Sequence, residues 1–329
     1  MKKEWLIKTL ALCVVVLFIS SGVSSAFNTD NKSKPLSNGN WLYVGGSGEG
    51  NYTKIQDAID NASNGDTVFV YNGTYYENIQ INKTIDLIGE YNSTTIIDGS
   101  KVDTDVTIVC PQVDITGFTI RNSGTESNNA GIYMNSNFNK IENNIISYNC
   151  HGVFLDGNYC SDNIIRNNTI SNNAFGITIE SGSNNDILYN YISNNRYIGI
   201  LIRFTSNYNN ISYNQILNNK YGIEIHNNST GFIIYWVLPA NIITSNNISF
   251  NGVGIYIFGL VENHILKNNF IFNYKNAYFM INTRNIWIGN YWNRTRFLPY
   301  PIFGMTPFSP WINIDWYPAK KPYKIPVGG

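Results

Sequence analysis

The sequence is poor in charge, histidine and cysteine. Lysine, arginine, aspartate and glutamate supply 13% of its 329 residues, beside 3 histidines and 4 cysteines. No CxxC pair occurs, which excludes a cysteine-based zinc site. Removing Lys2, Lys3, Lys8 and Glu4 with the first 26 residues leaves 19 basic and 21 acidic residues, a net charge near −2. That balance argues against nucleic acid as a partner.

Long apolar runs are absent except at the N-terminus. Basic residues flank an apolar run at residues 10–19, and the small residues Ser24, Ser25 and Ala26 follow. This pattern is typical of a secretory signal peptide, although an uncleaved anchor is the alternative. After cleavage we expect no membrane span, and a secreted, extracellular or cell-surface protein. The rest of the chain keeps three cysteines, which allow at most one internal disulfide.

Asparagine is the residue in excess, with 53 positions. The pattern Ile-x-x-Asn-x-Ile-x-x-Asn occurs six times, with Phe for the second Ile in the last copy. The copies start at Ile141, Ile165, Ile187, Ile211, Ile243 and Ile265. An alternating Gly-Ile-x-Ile type strand, such as GITI at 176 or GIEI at 222, follows each of the first five.

A repeat of about 23 residues with three short strands predicts an all-β, single-stranded, right-handed parallel β-helix. Isoleucine is expected inside and asparagine at the corners, where amides stack from coil to coil and the backbone approaches the left-handed region. A leucine-rich repeat is the alternative, but asparagine stands where that repeat needs leucine.

The two ends of the chain lack the repeat. Residues 51–63 place Ile55, Ala58, Ile59 and Ala62 on one face, which predicts a short capping helix. The aromatic and proline-rich stretch GNYWNRTRFLPYPIFGMTPFSPWINIDWYP predicts a C-terminal cap. We therefore divide the chain into a signal peptide (1–26), a flexible segment (27–40), the β-helix with its N-terminal cap (41–293), and a C-terminal cap and tail (294–329).

Several stretches together resemble the NosD-like group of β-helix proteins, within the class of carbohydrate-binding proteins and sugar hydrolases with a pectin-lyase-like fold. The matching stretches are YTKIQDAIDNASNGDTVFVYNGTYYENI, INKTIDLIGE, TTIIDGS, VDITGFTIRNS, the Ile/Asn coils and GNYW. The resemblance implies the fold, and it leaves open lyases, hydrolases, epimerases, adhesins and proteins linked to copper-enzyme maturation.

The outward positions of the Gly-Ile-x-Ile strands form two columns, because alternate residues of a strand point to opposite faces. The column four residues after each glycine contains Asn135, Asp156, Glu180, Arg203, His226 and Phe258. The column two residues after contains Tyr133, Phe154, Thr178, Leu201, Glu224 and Tyr256. If the coils stack in register, these columns hold the one dense ionisable cluster that the pattern places.

Three functions fit this cluster. In a polysaccharide lyase or glycosidase, Asp156 and Glu180 would be the acid/base pair and Arg203 would bind a uronate or abstract a proton. In a non-catalytic binder of polysaccharide or surface glycans, which we favour, Tyr133, Phe154, Glu224, His226 and Tyr256 would contact the sugar. In a structural or adhesive envelope protein, with an envelope protein as partner, the charges would be a solvated face.

Metal sites and cofactors are not expected. His151, His226 and His264 occupy different positions in their coils, so they should not converge on copper as a NosD-like factor would need. Calcium at Asp156 and Glu180 is the least unlikely alternative. Twelve Asn-x-Ser/Thr sequons outside the leader are candidate glycan acceptors. The apolar insertion at 229–240 should form a satellite core or an exposed contact patch.

Overall fold

The computed structural model describes residues 39–158, 160–227, 241–259, 262–281, 284–306 and 308–326. The expected signal peptide, most of the segment 27–40 and the apolar insertion at 229–240 lie outside these residues. Within them the chain winds through three parallel sheets in turn, contributing one short strand to each per coil. The prediction of a right-handed parallel β-helix is confirmed.

The strands of each sheet come from successive coils. The first sheet contains β1 (Trp41–Val44), β2 (Thr67–Val70), β5 (Asp86–Gly89), β8 (Asp114–Thr116), β11 (Lys140–Glu142), β14 (Ile164–Arg166), β17 (Asp186–Leu188), β20 (Asn210–Ser212), β23 (Ile242–Thr244), β26 (His264–Leu266) and β29 (Ile286–Ile288). The second sheet contains β3 (Gly73–Tyr75), β6 (Thr95–Asp98), β9 (Thr119–Arg121), β12 (Ile145–Ser147), β15 (Thr169–Ser171), β18 (Tyr191–Ser193), β21 (Gln215–Leu217), β24 (Asn247–Ser249), β27 (Asn269–Ile271) and β30 (Tyr291–Trp292). The third sheet contains β4 (Ile79–Ile81), β7 (Val106–Ile108), β10 (Ala130–Met134), β13 (His151–Asp156), β16 (Phe175–Glu180), β19 (Ile198–Arg203), β22 (Tyr221–Asn227), β25 (Val253–Gly259), β28 (Lys275–Met280), β31 (Tyr300–Met305) and β32 (Pro310–Asp315).

Isoleucine forms the interior because each strand is short and turns one apolar side chain or two toward the axis. Ile141 pairs with Ile165 and Ile165 with Ile187, so identical side chains stack along the solenoid. These isoleucines are fully buried. In the third sheet the residues one and three after each glycine, such as Ile177 and Ile179, are buried as the alternation predicts.

Asparagine forms three buried ladders, one at each corner. Two of them contain the two asparagines of the repeat, and the third contains the Asn-x-Ile asparagine before each copy. The ladders contain Asn139, Asn163, Asn185, Asn209, Asn241 and Asn263; Asn144, Asn168, Asn190, Asn214, Asn246, Asn268 and Asn290; and Asn149, Asn173, Asn195, Asn219, Asn251 and Asn273. Rungs lie 22 or 24 residues apart, and 32 across the long repeat.

The left-handed backbone occurs one residue before the ladder asparagine, not at it. The φ angle is 57° at Asn143, 55° at Tyr189 and 53° at Lys267. The ladder residue turns its amide inward, while the preceding side chain faces solvent and tolerates many residue types. The stacked rings of Tyr189 and Tyr213, 5.0 Å apart, lie on this outer surface.

The glycine of the Gly-Ile-x-Ile pattern in the third sheet is required by close packing between coils. A Cβ on Gly152 would lie 2.6 Å from the carbonyl oxygen of Gly176 and 2.8 Å from Cγ2 of Ile170. No side chain fits there without moving the backbone of the next coil. The glycine in the Gly-Ile-x-Ile pattern therefore indicates where the backbones of successive coils come too close for a side chain.

The predicted N-terminal helix is present as α1 (Ile55–Asn61), with Ile55, Ala58 and Ile59 buried. Residues of the following coils hold both of its ends. The Glu77 carboxylate accepts hydrogen bonds from the backbone N–H groups of Ile55 and Gln56, at 2.9 and 3.0 Å. The Lys83 ammonium donates to the carbonyl oxygens of Ile59, Asp60 and Ala62. Such side-chain caps stabilise a helix too short to persist alone.

At the other end, β31 and β32 form an antiparallel hairpin that extends the third sheet. Asp315, fully buried, terminates the middle ladder. Its carboxylate accepts hydrogen bonds from the backbone N–H of Gly289, from the N–H and amide of Asn290, and from the indole of Trp292. A carboxylate, which only accepts hydrogen bonds, fits this position because no further asparagine follows to which an amide would have to donate.

Candidate functional site

The two outward columns stack in the register expected from the sequence. Asp156 pairs with Glu180, Glu180 with Arg203 and Arg203 with His226 on neighbouring strands of the third sheet. We call the four residues Asp156, Glu180, Arg203 and His226 the outer row. The structure thus brings together the side chains that the spacing selected.

The two acids of the outer row already have partners. The hydroxyl of Tyr133 donates a hydrogen bond of 2.9 Å to the Asp156 carboxylate. Burial, together with this hydrogen bond, raises the pKa of Tyr133 to about 12. Glu180 accepts a hydrogen bond of 3.0 Å from the guanidinium of Arg203. Neither carboxylate is a free acid or base in this arrangement.

Glu224, His226 and Tyr256 form a second group further along the sheet. Nε2 of His226 lies 2.7 Å from Oε1 of Glu224, within ion-pair distance. The imidazole packs edge-on against the ring of Tyr256, with centroids 5.7 Å apart. Tyr256 in turn stacks on Tyr278 at 6.0 Å and 8°. A flat aromatic surface beside a carboxylate results.

Phe154 is not available to a ligand, which corrects its expected place on a binding surface. It is 3% exposed, although it points outward, and the same is true of Thr178 and Leu201. The ring of His151 stacks on Phe154 at 4.7 Å, and Tyr133 meets it edge-on at 5.6 Å. The centre of this face is therefore closed by lateral packing that strand alternation cannot predict.

His151 is a neutral structural residue. Its Nε2 lies 3.0 Å from the carbonyl oxygen of Ser127, which can only accept, so Nε2 carries the proton. Nδ1 then accepts from the hydroxyl of Thr178 at 2.8 Å. Burial lowers the pKa of His151 to about 4. The ring lies between Phe154 and Phe175, which leaves no free nitrogen for catalysis or a metal.

A groove that the sequence did not predict lies where the second sheet turns into the third. It encloses about 580 Å³ and takes its walls from five successive coils. We call it the corner groove, and its lining residues are Lys101, Asn122, Ser123, Gly124, Thr125, Tyr148, Asn149, Cys150, Asn172, Asn173, Ala174, Phe175, Arg196 and Tyr197. The lining contains two cations, three large aromatic rings and no carboxylate.

Two rings and one cation of the corner groove form a connected set of contacts. Phe175 stacks on His151 at 4.8 Å and packs against Tyr197 at 5.4 Å. The guanidinium carbon of Arg196 lies 5.1 Å from the centroid of the Tyr197 ring. Among the described acids, none forms an ion pair with Arg196 or Lys101. The charge of both side chains is therefore available to a ligand.

The comparisons with known proteins agree with this fold. The family described as "Periplasmic copper-binding protein (NosD)" matches residues 59–305. Among solved structures, the A-module of the Azotobacter vinelandii mannuronan C-5 epimerase AlgE4 is similar, with a TM-score of 0.57, 16% identity, 72% of this chain and 73% of that one covered. The AlgE6 A-module from the same organism has a TM-score of 0.50, 14% identity and coverage of 73% and 83%.

The Dettilon tailspike protein gives a TM-score of 0.52 at 16% identity, covering 76% of this chain and 61% of that one. At such identities the likeness concerns the fold alone. None of the curated proteins compared with the chain matches it. In the part of the chain that the structure describes, no helix is long and apolar enough to cross a membrane.

The described residues do not fit the copper site that the family's description implies. No group of three or more His, Cys, Asp or Glu side chains among them is close enough to hold a metal ion. His264 faces Glu262 with 3.7 Å between Nε2 and Oε1, and both nitrogens of His151 are engaged. Cys110, Cys150 and Cys160 are free thiols, and burial raises the pKa of Cys160 to about 11. A thiol that keeps its proton is a poor metal ligand.

Proposed function

The chain belongs to the NosD family, and we propose that it is an exported envelope protein that binds acidic polysaccharide in the corner groove. The observation that carries the proposal is the composition of that groove, whose lining contains Lys101 near one end, Arg196 near the other, three aromatic rings and no acid. The family's periplasmic description supports export. The rings and cations of the groove lining support carbohydrate rather than copper as the ligand.

The charge of the groove favours an anionic sugar such as a uronate. An arginine guanidinium binds a carboxylate through two parallel hydrogen bonds, and its planar fork is oriented here by the Tyr197 ring. Lys101 supplies a second positive charge at the opposite end of the groove, four coils away along the solenoid. A neutral sugar would leave both cations without a partner.

The shape of the groove favours a chain molecule. Its walls come from five coils, whose spacing of about 4.8 Å makes a trough about 19 Å long. The rings of Tyr148, Phe175 and Tyr197 offer flat apolar faces along it, while the amides of Asn122 and Asn172 offer donors and acceptors. Apolar surface with a few placed polar groups is typical of ligand sites.

The test is a titration of the full chain with oligogalacturonate and with a neutral oligosaccharide of equal length. We expect binding of the acidic ligand only, weakened at least ~10-fold by Arg196→Gln, because a charge-assisted hydrogen bond is lost. Lys220→Gln is the matched control, since Lys220 lies over Tyr221 but outside the groove. Equal affinity for both sugars, or no binding of either, would refute the proposal.

The outer row and the group around Tyr256 are the alternative place for a glycan. Here Glu224, His226 and Tyr256 would contact the sugar, while Tyr133 holds Asp156 in place. Binding that survives Arg196→Gln but is lost in His226→Gln would transfer the proposed site to this group.

Catalysis as a polysaccharide lyase or glycosidase is the second candidate, favoured by the paired positions of Asp156 and Glu180 next to Arg203. It requires one of these acids to exchange its present partner for substrate. Chain-length analysis of uronate and neutral polysaccharides after incubation, with and without calcium, tests it. Shortening that disappears in Asp156→Asn would establish an enzyme, and unchanged chains would leave a binding protein.

A further inference from the structure

The end of the solenoid around the β31–β32 hairpin exposes an unusual number of large apolar side chains. Phe308 is 96% exposed, Phe297 80% and Tyr317 78%. The exposed apolar residues of this end are Phe297, Leu298, Phe303, Met305, Phe308, Trp311, Ile312, Trp316 and Tyr317. Single exposed apolar residues are common, but a concentration within 21 positions of the chain marks a contact surface. We call these nine residues the apolar end.

The hairpin gives this surface a defined direction. Phe303 stands opposite Ile312, and directly opposed residues of an antiparallel pair share a face. The next pair, Ile302 and Asn313, is buried. One face of the hairpin thus packs on the solenoid, and the other presents Phe303, Met305 and Ile312 to the surroundings.

The charge around the apolar end is almost entirely positive. Residues 294–326 contain five cations, and Asp315 is the single acid in that stretch of the sequence. Asp315 is buried and its oxygens accept the hydrogen bonds that close the ladder. The five cations are Arg294, Arg296, Lys320, Lys321 and Lys324.

One of the cations contacts a ring of the apolar end, and a second contacts a ring of the hairpin. Nζ of Lys320 lies 5.2 Å from the centroid of the Phe297 ring, and the guanidinium carbon of Arg296 lies 4.5 Å from that of Tyr300. An arrangement with aromatic rings and basic side chains side by side is the one found where proteins meet the interface of a lipid bilayer. Long basic side chains there reach headgroup phosphates while their stems stay in apolar contact.

We infer that the apolar end docks on an anionic lipid surface, with its rings in the headgroup region and its lysines against lipid phosphates. A second copy of the chain fits less well, because a twofold interface would oppose the same five cations to one another. This contact lies at a different place from the corner groove and does not depend on the proposed glycan binding. It would hold an exported β-helix against a membrane without a span.

The test is sedimentation of the full chain with vesicles of phosphatidylcholine alone, or of phosphatidylcholine mixed with phosphatidylglycerol. We expect binding to the mixed vesicles and little to the neutral ones. The variant Lys320→Gln/Lys321→Gln/Lys324→Gln should bind the mixed vesicles about 100-fold less tightly, since each lysine near an anionic surface contributes about fivefold.

A second pair of variants isolates the rings. Phe297→Ser/Phe308→Ser/Trp316→Ser should weaken binding at least ~10-fold, whereas Tyr76→Ser/Tyr91→Ser/Tyr274→Ser, which removes comparably exposed rings elsewhere, should leave it unchanged. All six side chains are exposed, so folding should be preserved. Absence of vesicle binding, equal binding by all variants, or a self-associated form that the Phe297 variant abolishes without lipid would overturn the inference.

Discussion

Alanine in place of Asn190 should lower the free energy of unfolding by about 3 to 5 kcal/mol. The Asn190 side chain, fully buried, donates hydrogen bonds to the carbonyl oxygen of Ile165 at 2.8 Å and to Oδ1 of Asn214 at 3.1 Å. Its own oxygen accepts from the backbone N–H and the amide of Asn168. Alanine removes the side-chain acceptor of the buried Asn168 backbone N–H and the amide donor to the Ile165 carbonyl oxygen, while Oδ1 of Asn214 keeps only the backbone N–H of residue 190.

Urea-induced unfolding measures the effect, and Asn128→Ala, at an exposed position of the loop before β10, is the control for loss of an asparagine. Asn190→Asp should be about as harmful, because a carboxylate cannot donate to Ile165 or Asn214. The chain uses aspartate in this ladder only at Asp315, where acceptance alone is needed. A loss below about 1 kcal/mol for Asn190→Ala would mean that water or a shifted neighbour replaces the amide.

The ladders show how far the sequence predicts this fold. The Ile-x-x-Asn spacing determines the coil because each apolar residue and each amide has one allowed direction, inward. The sequence predicts the left-handed backbone at the ladder asparagine, but it lies one residue earlier. The side chain at that earlier position faces solvent, so Tyr189 or Lys267 is accepted there as well as asparagine. The third ladder was missed, although Asn-x-Ile at 163, 185 and 209 carries its signal.

Only those parts of the candidate site whose positions follow from the alternation and pairing of strands can be predicted from the sequence. The pairing of Asp156 with Glu180 follows from counting residues after glycine. The corner groove does not follow, because its walls are loops of five coils. In addition, the stretch between Asn195 and Gly199, which contains Arg196, is one residue longer than in the other coils. The burial of Phe154 depends on His151, a residue outside both predicted columns.

Asparagine in place of Asp105 should stabilise the protein, by about 4 kcal/mol at pH 7. Asp105 directly precedes β7, as Gly131 precedes Ile132 in the next coil, and its carboxyl fills the space beside Gly99. The side chain is fully buried, and neither of its oxygens has a hydrogen-bond partner. Burial, with a smaller effect of Asp98, raises the pKa of Asp105 to about 9.

The sign follows from the two protonation states. An unfolded aspartate has a pKa of about 3.9, so at neutral pH the unfolded chain is ionised while folded Asp105 holds its proton. Stability is therefore fully present below about pH 4 and falls by about 1.4 kcal/mol per pH unit as the pH rises toward about 9. Asparagine stays neutral throughout, so the difference between variant and parent should be near zero at pH 4 and grow with pH.

Unfolding in urea at several pH values between about 4 and 8 measures this difference directly, because titrations common to both proteins cancel. Asp60→Asn is the control, since the Asp60 carboxylate is exposed on α1 and its removal should shift stability little at any pH. Parallel curves for parent and Asp105→Asn would show that the buried carboxyl is ionised and that a cation reaches it. If the difference in free energy of unfolding between the variant and the parent grows with pH, the first coils fold around a neutral Asp105. The free energy needed to protonate Asp105 then lowers the stability of the parent at physiological pH.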